Sequence, residues 1–74
     1  MQADRLVTMA NQIAGFFAAY PEERAIAATA DHMRQFWDPR MRAELARIAG
    51  GADSGLSPVA LAAARRLTEA AAPA

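Results

Sequence analysis

Cysteine is absent from this 74-residue chain, and histidine occurs once, as His32. Disulfide staples and thiolate-ligated zinc or iron–sulfur centres are therefore excluded, as is any histidine-rich metal site. Charge of one sign is lacking too: eight basic residues, all arginine, balance eight acidic ones, and the sequence pI is near 6.5. Nucleic-acid binders draw most of their affinity from phosphate neutralisation, so a balanced chain argues against that class. The exclusive use of arginine fits arginine-favouring interfaces or simply a GC-rich coding bias. No apolar run approaches the ~20 residues that a membrane-spanning helix needs. The opening Met1-Gln2-Ala3-Asp4-Arg5 has neither the basic nor the apolar region of a signal peptide, so the expected location is cytoplasmic.

What is present is alanine. About half of the 54% apolar residues are alanine, which favours helix but brings little surface to bury. The larger apolar side chains between Leu6 and Leu67 suffice for one modest core. A chain this short hides only about 60% of its unfolded surface, so tight helix packing or association with another chain must stabilise it.

Four helical segments are expected. From Asp4 to Ala19, Leu6, Met9, Ile13, Phe16/Phe17 and Tyr20 recur at spacings of three and four, the period of an amphipathic helix. Tyr20-Pro21 breaks the run, since proline disfavours helix at the residue before it. Pro21 suits the first position of a second helix, with Glu22 and Glu23 where the dipole favours anions. That helix runs to about Trp37 with Ile26, Ala30, Met33 and Phe36/Trp37 on its buried stripe. Asp38 then caps and Pro39 opens a third helix, which carries Met41, Leu45 and Ile48 and stops at Gly50-Gly51. Gly50 to Gly55 reads as a flexible connector. Ser57-Pro58 repeats the cap-and-proline device ahead of a fourth, alanine-rich helix to about Glu69. The fold class is all-α: an antiparallel hairpin of the first two helices, a short third helix and a weaker C-terminal helix. Residues 1–69 form a single domain, with 70–74 as a flexible tail.

Catalytic constellations are hard to find. Asp31 and His32 are adjacent, but neighbours on a helix point about 100° apart. His32 flanks the apolar stripe, as a structural or interface residue. Glu22-Glu23 are explained by the helix dipole, and the glycines lack the lysine and strand context of a phosphate loop. The candidates are instead for binding a partner. Phe36, Trp37, Asp38, Pro39, Arg40 and Arg42 combine aromatic and arginine anchors, the residue types enriched at interface hot spots. Arg40 and Arg42 also sit at a helix N-terminus, where the dipole opposes cations unless carboxylates such as Asp38 and Glu44 answer them. Local ion pairing and core packing of Trp37 are the competing explanations. On the first helix, Thr8, Gln12, Gly15 and Ala19, with Asn11 beside them, make a face of small and uncharged residues, either a docking face or one merely tolerated. A mid-helix glycine costs about 1 kcal/mol relative to alanine, so close approach of another backbone is a reason to keep Gly15.

The stretches MANQIAGFF (Met9 to Phe17) and HMRQFWDPRMR (His32 to Arg42), with Leu6-Val7 before them and Tyr20-Pro21 between, resemble the delta subunit of NAD-dependent formate dehydrogenase. The resemblance spans roughly Leu6 to Leu67, and FWDPRMR is its most specific part. It implies a non-catalytic accessory subunit that stabilises or helps assemble the enzyme, most directly through its alpha subunit and within a complex that includes beta and gamma subunits. It also implies that the molybdenum or tungsten pterin, the iron–sulfur clusters and FMN reside in those other subunits, with no cofactor in this chain. A transient assembly chaperone for the same enzyme is the alternative, and a small helix-turn-helix regulator a more distant one.

Overall fold

The computed structural model describes residues 3–71. They form four helices, α1 (Ala3–Phe16), α2 (Glu22–Phe36), α3 (Pro39–Ala49) and α4 (Pro58–Ala71), and no strand occurs among them. The all-α expectation holds. Helix α1 ends three residues earlier than its apolar spacing suggests. Beyond Phe16 the backbone tightens into i→i−3 bonds, Phe17 N–H to Ala14 C=O and Ala18 N–H to Gly15 C=O, both 3.2 Å. Tyr20 N–H donating to Phe17 C=O at 3.1 Å completes the turn into Pro21. Pro21 itself stands one position outside α2: with ψ 147° it is extended, and its carbonyl accepts from Ala25 N–H as the helix starts.

The next two helix starts follow the sequence closely. Asp38 Oδ1 accepts from Met41 N–H at 2.8 Å with Pro39 as the first helical residue. Ser57 Oγ accepts from Ala60 N–H at 3.2 Å ahead of α4. At the end of α3, Gly50 is right-handed (φ −75°); the left-handed glycine is Gly55, at φ 77°. A side chain there would be strained, and its Cβ would come to 3.5 Å from Val7 Cγ1. Helix α4 runs on to Ala71, two residues into the expected tail, and 72–74 lie outside the described residues.

The core shows how an alanine-rich chain closes. Leu6, Ala10 and Ala14 are the buried residues of α1, whereas Met9 and Ile13 are only half-buried along its edge. Ala60, Ala63 and Ala64 of α4 are fully covered and join Leu67, Met33, Trp37 and Leu45 in one cluster. Alanine lets helix axes approach closely, so the sparse stripe of α4 understates its part: it packs most extensively on α2 and α3. Its Arg66 also pairs with Glu23 of α2. The radius of gyration, 11.1 Å, matches the ~11 Å expected of a self-contained folded chain of this length. Buried Thr29 donates to Ala25 C=O at 2.7 Å, and no buried side-chain polar atom among the described residues is left unpaired.

Candidate partner-docking surface

Because the alanine faces take the core, several aromatic residues are displaced from it. Phe16 is 83% exposed, Phe36 70% and Tyr20 48%, contrary to the stripe that placed all three inward. The physical reason is register: on α1 the buried positions are 6, 10 and 14, which turns Phe16 outward. Likewise α2 buries Ala30 and Met33, and Trp37 just beyond it, leaving Phe36 on the open side. On a chain of this size, large exposed apolar side chains that share one patch make a candidate interaction surface.

Two of the three border a groove of about 540 Å³ between the C-terminal half of α1 and the α2–α3 corner. Met9, Ile13, Phe16 and Phe17 form one wall, Phe36, Trp37 and Met41 the other. Gln12 and His32 are its polar residues. The rings are ordered against each other: Phe16 and Phe17 meet edge-on at 5.3 Å, Phe17 stacks on Tyr20 at 5.8 Å, and His32 lies 4.7 Å from Phe36. Arg24 covers the far face of this group, its guanidinium 5.5 Å from the Tyr20 ring.

The sequence candidates divide between this groove and internal roles. Gln12, His32, Phe36 and Trp37 are brought together at it, although Trp37 is only 5% exposed and belongs chiefly to the core. Asp38 and Pro39 shape the helix start behind it. Arg42 is not answered by a carboxylate as expected. Asp38 is taken up by the Met41 N–H and Glu44 pairs with Arg47. The Arg42 guanidinium instead reaches back to the C-terminal carbonyls of α2, donating to Arg34 C=O at 2.9 Å and Trp37 C=O at 3.1 Å. A cation at that negative dipole end is favourable, which resolves the apparent misplacement. Arg40 is exposed, and nothing among the described residues pairs with it.

On α1, Asn11 also turns inward to work. Its Nδ2 donates to Gly55 C=O at 3.0 Å and its Oδ1 accepts from Ser57 N–H at 2.8 Å, so it pins the far end of the α3–α4 connector. Thr8 donates to Asp4 C=O at 3.0 Å on the exposed side. A Cβ on Gly15 would meet nothing within 4 Å, so no close backbone approach among the described residues explains the glycine. A spacing argument alone misses Met9, Ile13, Phe16, Phe17 and Met41 as groove residues. Their signal is the surplus of bulky side chains over the positions that alanine leaves free.

Among the described residues no three histidine or acidic side chains converge as a metal site would require, and no helix is long and apolar enough to cross a membrane. Compared with protein families, residues 5–64 match the family described as NADH-dependent formate dehydrogenase delta subunit FdsD. That range contains both the Asn11 clamp and the whole groove. No curated protein and no solved structure matches the chain.

Proposed function

Since the chain belongs to the FdsD family of NADH-dependent formate dehydrogenase delta subunits, we propose that it is a non-catalytic accessory subunit that holds or helps assemble the enzyme by docking its aromatic groove onto the alpha subunit. The observation that carries this reading is the pair Phe16 and Phe36, largely exposed across a groove whose other apolar walls are half-buried or, at Trp37, buried. Covering each phenylalanine in an interface is worth about 1.5–3 kcal/mol. Two such anchors in a desolvated pocket are typical of a hot spot.

The chemistry belongs to the other subunits. Those subunits would hold the molybdenum or tungsten pterin, the iron–sulfur clusters and the FMN that the family resemblance implies. This chain has no thiolate to ligate a cluster, and among the described residues the acidic and histidine side chains do not converge. We place its action in the cytoplasm, alongside that enzyme.

Co-purification with a tagged alpha subunit is the test. The parent chain is expected to co-elute, and Phe16→Ser with Phe36→Ser to be lost from the complex while keeping its helicity by circular dichroism. Failure of the parent chain to co-elute overturns the reading; undiminished binding of the double variant overturns the assignment of the groove. Presence of the chain in the purified active enzyme separates a permanent subunit from a transient chaperone.

A further inference from the structure

One residue of the groove can change its charge near neutral pH. Of the side chains that line it, His32 alone is ionisable, and it is the only histidine of the chain. It sits half-buried on α2, one turn before Phe36, with its ring 4.7 Å from the exposed Phe36 ring. A partner that covers Phe36 therefore also strips water from the imidazole.

Nothing around His32 is placed to hold a proton on it. From α1 and the turn after it, the facing stretch Met9 to Phe17 carries no charge, and α3 contributes only Met41. On α2 itself, Asp31 is paired with Arg34 at 2.7 Å, and Arg24 lies over Tyr20. At the start of α3, Asp38 is hydrogen-bonded to Met41 N–H, and Arg42 is engaged by the Arg34 and Trp37 carbonyls. Arg40 is exposed outside the groove lining, and Asp4 and Arg5 line a separate, shallower depression along α1. No described residue of α4 lines the groove, and its Arg66 pairs with Glu23. No carboxylate among the described residues forms an ion pair with His32.

An imidazolium at this position depends on water for its stability, and taking water from a charged group favours its neutral form. The Phe36 ring attracts a cation, but it stands beside His32 before docking as well as after, so it does not reverse that balance. Resting on the accessory-subunit reading above, we propose that docking onto the alpha subunit is coupled to deprotonation: the groove is covered when His32 is neutral, and protonation of His32 releases the partner. Docking is then complete above the range in which an imidazole titrates and fades as pH falls through it.

The test titrates the full chain into purified alpha subunit by calorimetry at pH values of about 7.5 and 5.5. Affinity should fall about tenfold between them, with protons released on binding in the middle of the interval. His32→Gln should flatten this dependence, whatever affinity it retains at the higher pH. An equal fall for the parent and His32→Gln places the titrating group elsewhere and overturns the proposal. So does a flat profile, or tighter binding at the lower pH. Circular dichroism at both pH values guards the fold: helicity lost by the free chain at the lower pH assigns the weakening to unfolding, and the proposal falls. In each of these cases the subunit reading stands. Absence of binding at either pH refutes that reading, and the proposal with it.

Discussion

Asn11→Ala removes both hydrogen bonds that tie the α3–α4 connector to α1, the 3.0 Å donation to Gly55 C=O and the 2.8 Å acceptance from Ser57 N–H. Each is worth about 1 kcal/mol net, and the half-buried Ser57 N–H is then left short of an acceptor at the entrance to α4, so a loss of about 2 kcal/mol is expected. For a domain of this size 1 kcal/mol moves the melting temperature by about 4–8 °C, which predicts a fall of roughly 8–16 °C. Thermal melts followed by circular dichroism at 222 nm read it. Asn11→Asp sharpens the test, because it keeps an acceptor for Ser57 N–H but sets a carboxylate oxygen against the Gly55 carbonyl. It should melt no higher than the alanine variant. A shift under about 2 °C for Asn11→Ala, or full recovery by Asn11→Asp, would refute the clamp. The asparagine would then be free for the docking role that its place on α1 suggested.

Ala63 is fully covered among the helices. Ala63→Leu should destabilise by about 1–3 kcal/mol in urea denaturation through overpacking, while Ala43→Leu on the exposed side of α3 stays within about 0.5 kcal/mol of the parent. Arg42→Ala uncaps α2 and should cost about 1–2 kcal/mol in the same assay, with Arg42→Lys recovering little, because one ammonium cannot match the guanidinium that spans the Arg34 and Trp37 carbonyls. Gly15→Ala should raise stability by up to about 1 kcal/mol, since open space surrounds the site and φ is not positive there. If that variant also binds the alpha subunit more weakly in a co-elution assay, the partner's backbone lies against Gly15; unchanged binding places the contact elsewhere.

The four helices were legible because their punctuation is local. Asp38-Pro39 and Ser57-Pro58 act within one turn of chain, and the structure uses both as capping chemistry requires. Face assignment was less legible, because periodicity weighs residues by hydrophobicity, whereas close helix packing here is won by small side chains. Leu6, Ala10 and Ala14 share one face of α1, and Met9, Ile13 and Phe16 share a neighbouring one; a scale that ranks phenylalanine above alanine selects the wrong face. Long-range bonds were invisible for another reason. The partners of Asn11 lie 44 and 46 residues away, and no local pattern encodes such a distance.

The division of labour among the eleven candidate residues also bears on how the groove can bind. Trp37, Asp38 and Arg42 fix the α2–α3 corner by burial, by capping and by back-bonding, and Phe36 is mounted on that corner. A rigid mount lowers the entropy lost when an exposed ring is immobilised against a partner, about 0.5–1.5 kcal/mol for a side chain with many rotamers. Substitutions at the corner should therefore weaken docking through stability and preorganisation together, whereas Phe16→Ser and Phe36→Ser act on contact alone. Plotting affinity against melting temperature over both sets tests this. Corner variants should fall on one sloping line and the two phenylalanine variants well off it, at near-parental stability. A single line through all of them would mean that the exposed aromatics serve the fold and that the docking surface lies elsewhere.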